Sequence, residues 1–154
     1  MSTMMILGVS SCKNSSKIPS LKDKAEFGNS AIDIEFENLP SDFKEFYYAF
    51  HKDSIFQMSS IFFPLEGLPN EADPEFIGNE KYFWSADQWI FQKEVIHKGE
   101  LYETEYRNIN NILIEETITE RKNDLKLIRR FAKTGSGWRL IYYAGMNKYS
   151  KKSN

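Results

Sequence analysis

The sequence predicts an α+β fold, with two or three N-terminal helices packed on a curved antiparallel sheet. Three observations carry this. An apolar stripe at helical spacing runs from Phe43 to Phe50, followed by a second short helical segment. From about Ile90 onward the pattern becomes strand-like, in segments separated by turn residues. The chain has 154 residues, 41% hydrophobic and 15% aromatic, which suits one domain with a ring-rich core that needs neither disulfides nor metals. Helices followed by a long meander make an α+β plan.

The first clear helix begins near Ser41, a good N-cap, with Asp42 favouring the positive helix end. Phe43, Phe46, Tyr47 and Phe50 follow at i, i+3, i+4 and i+7. Asp53 and Ser54 break the stripe. Ser54 to Gln57 has the form of a capping box, which predicts a second short helix. Ile61-Phe62-Phe63 starts a strand that Pro64 should end. Residues 64–80 hold three prolines, two glycines and five acids, the composition of a loop. Glu66, Glu71, Asp73, Glu75 and Glu80 lack the alternating ligand spacing and central glycine of a calcium loop, so a solvated acidic loop is the expectation. Ser85 to Gln88 is a second capping box, with Trp84 and Trp89 at the staple positions. Strands are then expected over 90–97, 101–108, 112–121, 125–133 and 137–145. Turns fall at Gly99, Asn108 to Asn111, Asn123-Asp124 and Gly135-Ser136-Gly137.

Net charge is −2 with both signs interspersed, which gives no basic surface for nucleic acid. The tail Lys148, Lys151, Lys152 reads as a solvated terminus. A single cysteine excludes an internal disulfide, and two histidines are too few for a zinc site beside it. No motif requires a cofactor, and no metal site is expected.

Cys12 is informative through its position. Met4 to Val9 is a short apolar run, followed by Ser10, Ser11 and Cys12. Val9-Ser10-Ser11-Cys12 resembles the bacterial lipobox, in which small residues admit the signal peptidase and the thiol takes a diacylglycerol. Two or more acyl chains anchor stably where one does not. The run is short and no Lys or Arg precedes it, as in a signal whose true start lies upstream; the bland alternative is a frayed terminus with a free thiol. The expected organisation is a signal segment (1–11), a lipidated cysteine and flexible tether (12–34), an α+β domain (35–147) and a basic tail (148–154). In lipoproteins of the Bacteroidetes type, which this segment resembles, an acidic run after the cysteine marks surface export; none follows Cys12, which implies the periplasmic face of the outer membrane. No stretch after residue 11 is long and apolar enough for a transmembrane helix.

Residues 43–65, FKEFYYAFHKDSIFQMSSIFFPL, taken with the Trp84/Trp89 spacing and the terminal Gly137-Trp138-Arg139-Leu140-Ile141-Tyr142-Tyr143, resemble an uncharacterised Bacteroidetes lipoprotein family. The likeness covers roughly residues 36–146. It implies a nuclear-transport-factor-2-like cone, in which helices lie against a curved sheet, often around a pocket. It implies no activity, because that fold hosts isomerases, dehydratases, carriers and scaffolds.

Strand alternation singles out one constellation. The expected inner rows are Ile112, Ile114 and Ile118; Leu125, Leu127 and Phe131; and Trp138, Leu140, Tyr142 and Ala144. Glu116 and Arg129 interrupt the first two. A turn at Gly135-Ser136 sets Arg129 opposite Tyr142. A turn at Lys122-Asn123 sets Glu116 opposite Arg129, and one at Asn123-Asp124 makes them diagonal neighbours. Glu116, Arg129 and Tyr142, with Trp138 nearby, are therefore candidate ligand-binding residues on a pocket floor. The competing reading is a structural ion pair capped by a tyrosine. No residue is assigned a catalytic role. Beside Arg129, Glu116 would be a poor base. His51 is read as capping a helix end, and His97 lies at a turn without an evident partner.

The leading expectation is a membrane-tethered lipoprotein that binds a small molecule or peptide in its cone. The alternatives are a scaffold with a filled cone that meets a protein partner through Tyr47, Tyr48 and Tyr143, and an isomerase- or dehydratase-like enzyme. A deep cavity reached by Glu116 and Arg129 favours the first or third; a filled cone with an exposed apolar patch favours the second.

Overall fold

A computed structural model describes residues 34–72, 81–93 and 99–149. Cys12, His97, the signal and tether segments and the tail beyond Tyr149 lie outside them. In chain order the elements are helices α1 (Ile34–Glu37), α2 (Ser41–Lys52) and α3 (Ser54–Ser59), then strands β1 (Ile61–Leu68) and β2 (Tyr82–Trp84) and a single 3-10 turn (Ala86–Gln88). Strands β3 (Tyr102–Ile109), β4 (Leu113–Glu120), β5 (Leu125–Thr134) and β6 (Gly137–Lys148) complete the chain.

The aromatic stripe folds as expected: Phe43, Phe46, Tyr47 and Phe50 are buried along α2, joined by His51. The helix starts differently. Pro40 occupies the N-cap, and its carbonyl accepts the Lys44 N–H at 3.1 Å, so Ser41 is the first helical residue rather than the cap. Asp53 ends α2 and caps α3, its Oδ1 accepting from Ile55 N at 2.8 Å and Phe56 N at 3.0 Å. The Ser54–Gln57 capping box therefore does not form. Gln57 instead turns inward and is fully buried. Its Nε2 donates to the Phe50 and Gln92 carbonyls (2.8 and 3.0 Å), and its Oε1 accepts from Trp89 Nε1 and Gln92 N (both 2.9 Å). All the bonding capacity of the amide is used.

The six strands form one mixed sheet in the order β2-β1-β6-β5-β4-β3. The meander β3 to β6 is antiparallel as expected, but β1 joins β6 in parallel. Alternation reports which face a residue occupies, not which strand lies beside it, so the sequence did not disclose this pairing. Pro64 does not end β1. The β1–β6 register is irregular between Ile61 and Glu66, and a residue without an N–H is tolerated inside that stretch. Residues 90–93 of the expected strand 90–97 form no strand; 94–97 lie outside the described residues. The second capping box closes one 3-10 turn, with Ser85 N donating to Gln88 Oε1 at 3.1 Å. Trp84 and Trp89, at the staple positions, share one partner. Both pack edge-on against Tyr143, at 5.5 and 5.1 Å between ring centres.

The core lies between α2 and the inner sheet face. Ile114, Ile118, Leu127, Phe131, Trp138 and Leu140 supply the sheet side. Phe131 is the hub: Phe43, Phe46, Tyr47 and Phe50 surround its ring at 5.5–6.1 Å, all steeply tilted or edge-on. Ile112, expected in this row, sits in the β3–β4 turn and is exposed.

Gly67 marks the closest approach of β1 to β6. A Cβ there would lie 1.7 Å from the Tyr143 carbonyl oxygen, an acceptor already used by Trp84 Nε1 at 3.0 Å. Gly135 in the β5–β6 turn has nothing within 4 Å of such an atom. Gly67→Ala is expected to lower unfolding stability by more than about 2 kcal/mol, and Gly135→Ala to change it by less than about 0.5 kcal/mol. Urea titrations of both variants against wild type check this.

Candidate functional site

The polar constellation is built from direct strand neighbours. Along one rung of the inner face, Tyr106 on β3 pairs with Glu116 on β4, and Glu116 with Arg129 on β5. The next partner on β6 is Tyr143, not Tyr142. One extra residue, Ile141, is inserted in β6 between the Phe131–Leu140 and Arg130–Tyr142 pairs. This bulge reverses the alternation beyond it. Tyr142 is carried to the outer face, where the Arg130 guanidinium lies 4.5 Å from its ring centre. Trp138 lies before the bulge and stays inward, but near the helix start, where its Nε1 donates to Asp42 Oδ2 at 3.1 Å. Of the four expected ligand-binding residues, Glu116 and Arg129 are together, Tyr142 is on the opposite face, and Trp138 stands apart.

Helix α2 completes the cluster from above. Glu116 Oε2 accepts from Arg129 Nε at 2.5 Å; Oε1 accepts from the Tyr47 hydroxyl at 2.5 Å and the Tyr106 hydroxyl at 3.1 Å. Arg129 Nη1 lies 2.9 Å from His51 Nε2, and Nη2 donates to the Tyr47 hydroxyl at 3.4 Å. A guanidinium only donates, so His51 Nε2 is the acceptor. The proton therefore sits on Nδ1, which donates to the Tyr47 carbonyl at 2.8 Å. His51, expected to cap the helix end, does bond a carbonyl of its own helix, and as a buried side chain it also orients the guanidinium. Tyr47 and Tyr143, expected on the surface, are buried; Tyr48 is half-exposed.

Burial decides what the cluster can do. Glu116 is 0% and Arg129 2% exposed, so water and solutes have almost no access to either. Burial, reinforced by the Glu116 charge, pushes the Tyr47 and Tyr106 phenols well above their ordinary pKa. For Arg129, burial is the largest influence and favours loss of the proton, but Glu116, Tyr47 and Tyr106 together outweigh it and the guanidinium is held more firmly protonated. Glu116 and Arg129 neutralise one another, and their charged atoms are enclosed by Tyr47, Tyr106 and His51. Two open grooves lie on the surface instead. One of about 310 Å³ runs between α2, α3 and the β5–β6 turn, touching Phe46, Phe56, Trp138 and Arg139. One of about 290 Å³ is polar and lies over β3 and β4 beside Glu35. Neither is lined by Glu116, Arg129 or Tyr47; of the cluster, Tyr106 borders the second. Among the described residues, no group of three or more His, Cys, Asp or Glu could hold a metal, and no helix is long and apolar enough to cross a membrane.

Sequence reasoning found the ion pair and missed Tyr47, His51 and Tyr106 as its partners. The available signal was a tyrosine and a histidine at i and i+4 on the buried stripe of α2. A tyrosine tip or imidazole on such a stripe needs a polar partner across the core.

The chain matches no protein-family profile and no curated protein. Among solved structures it is similar to a nuclear-transport-factor-2-like protein from Bacteroides fragilis, at 23% identity and a TM-score of 0.51 over 70% of this chain. The match spans 47% of that protein's length, about half. It is also similar to a cystatin-like protein from Bacteroides caccae, at 16% identity and a TM-score of 0.48, covering 67% of this chain and 74% of that one. The first likeness gives the fold: a nuclear-transport-factor-2-like arrangement with few helices on a large curved mixed sheet.

Two predictions follow from the cluster's chemistry. Arg129→Met leaves the Glu116 carboxylate buried without its cation and is expected to cost about 3–5 kcal/mol, whereas adding Glu116→Leu recovers most of that loss. Denaturant titrations of both singles and the double variant test it; a double variant no more stable than Arg129→Met contradicts it. The phenols supply a pH dependence. Both folded-state values lie above the unfolded value near 10, so their contribution is intact below about pH 10 and is lost as pH rises further. Phenolate absorbance should show tyrosines that ionise only on unfolding, and Tyr106→Phe should remove one from that hidden set.

Proposed function

We propose that the chain is a lipid-anchored, non-catalytic binding module: a nuclear-transport-factor-2-like domain held by Cys12 at the periplasmic face of a bacterial outer membrane, meeting its partner through its outer surface. The lipobox-like Val9-Ser10-Ser11-Cys12 and the resemblance of residues 43–65 to a lipoprotein family support the anchor. One observation carries the surface reading. The residues that would form a pocket floor, Glu116 and Arg129, are sealed and bonded to Tyr47, Tyr106 and His51. A small-molecule site needs polar groups that converge on open space. Here they converge on one another, which favours the filled-cone reading over a ligand in the cone. The same seal weighs against an isomerase or dehydratase using Glu116, since a general base must reach the proton it removes.

Native mass spectrometry of the purified full chain is expected to show the bare polypeptide mass. A stoichiometric retained small molecule overturns the closed interior. The anchor is tested separately by palmitate labelling in a bacterial host. Wild type should label and Cys12→Ala should not; equal labelling, or none, removes the anchor.

A further inference from the structure

Helix α3 is built inside out. At about 100° per residue, Met58, Ile55, Ser59 and Phe56 share one broad face and Gln57 lies opposite. The polar residue is the one turned in, fully buried, while Ile55 is 80% exposed and Phe56 and Met58 remain partly exposed. Phe62, at the start of β1, is 52% exposed on the outer sheet face. The Arg139 guanidinium ties these residues together: it contacts the Ser59 carbonyl at the end of α3 and lies 6.0 Å from the Phe62 ring centre. Lys52, exposed, is the last residue of α2 and precedes α3 by two positions. Among the described residues neither Lys52 nor Arg139 has a carboxylate partner. The nearest acid along the chain, Asp53, is engaged with the backbone of α3. The corner thus combines protruding apolar side chains with unpaired cations, the composition of an interfacial membrane contact.

We propose that this corner, α3 with the start of β1, rests on the bilayer: Ile55, Met58 and Phe62 enter the boundary between headgroups and acyl chains while Lys52 and Arg139 face anionic headgroups. The proposal rests on the tethered reading of Cys12. Residues 13–33 separate that cysteine from α1, and a chain of that length reaches at most roughly 75 Å. An anchored domain is therefore confined to a thin layer above the membrane, where a weak surface affinity suffices to orient it.

The test uses the full 154-residue chain carrying Cys12→Ala, so that no lipid contributes and the outcome does not depend on whether Cys12 is modified. It is sedimented with large vesicles of phosphatidylethanolamine and phosphatidylglycerol, and with vesicles of phosphatidylcholine. The expected result is binding to the anionic vesicles that weakens as salt rises. Adding Ile55→Asp and Phe62→Ser together should weaken binding at least about tenfold. Leu101→Asp, at another exposed apolar position, should leave it unchanged. The circular dichroism and melting of each variant confirm its fold. The proposal is overturned if no vesicle binding is seen, if the double variant binds like its parent, or if Leu101→Asp weakens binding as much. It is equally overturned if light scattering shows the corner pairing two copies of the chain without vesicle binding. Failure here with positive palmitate labelling would leave the anchor standing and remove only the surface contact.

Discussion

Glu116 and Arg129 meet at 2.5 Å with almost no exposed surface, and two ions so placed require partners on every side. Stripping them of water costs several kcal/mol per ion, which their mutual attraction offsets only when the remaining lone pairs and N–H groups are also bonded. That requirement reaches outward through the fold. It fixes Tyr106 in register on β3, and it draws Tyr47 and His51 down from α2, setting the rotation of that helix over the sheet. With α2 so rotated, Phe43, Phe46 and Phe50 close around Phe131 and fill the cone. The interior is closed because the pair needs it closed.

The same pair also enforces strand register. A one-residue slip between β4 and β5 would carry either Glu116 or Arg129 to the outer face and strand its partner in the core. The outer face repeats the constraint in exposed form. Glu115 is bonded to Arg130 at 2.6 Å and lies 3.8 Å from Arg107; Arg130 covers the Tyr142 ring, and Tyr142 neighbours Glu66 on β1. The two rungs lie back to back on adjacent residues, so one slip would break both. Exposed pairs contribute little individually, and the inner pair carries most of the discrimination.

What was readable in the sequence follows from which forces are local. The α2 stripe and the strands of the meander depend on periodicity and turn residues, and they are found within a few residues of their expected ends. The Glu116–Arg129 pairing was readable because a charged residue interrupts each of two adjacent apolar rows. The Ile141 bulge was not, because one extra residue leaves no mark in an already apolar run, yet it exchanges Tyr142 for Tyr143 and brings the latter's ring against Trp84 and Trp89. The parallel β1–β6 pairing is a contact between distant segments, betrayed only by Gly67, whose missing side chain is required by the Tyr143 carbonyl. Gln57 was misread because the pattern of a capping box specifies residue types and not the direction in which they turn.

Gln57 also connects the closed core to the unusual surface. The end of α2 and residues 89–92 present carbonyls and donors that need a partner inside the fold, and the only inward position of a six-residue helix supplies it. With that position given to an amide, α3 adds little to the core beyond the edge of the Phe56 ring against Phe46. If they served only solubility they would be polar, since an exposed isoleucine gains nothing by burial that never occurs. Ile55, Phe56 and Met58 are apolar, and Phe62 extends their surface across Arg139 to the sheet. The proposed outward-facing contact rests on this surface, which retains apolar side chains that the core leaves largely exposed. The ion pair sets that division, because it commits the one strongly polar part of the interior to holding the fold.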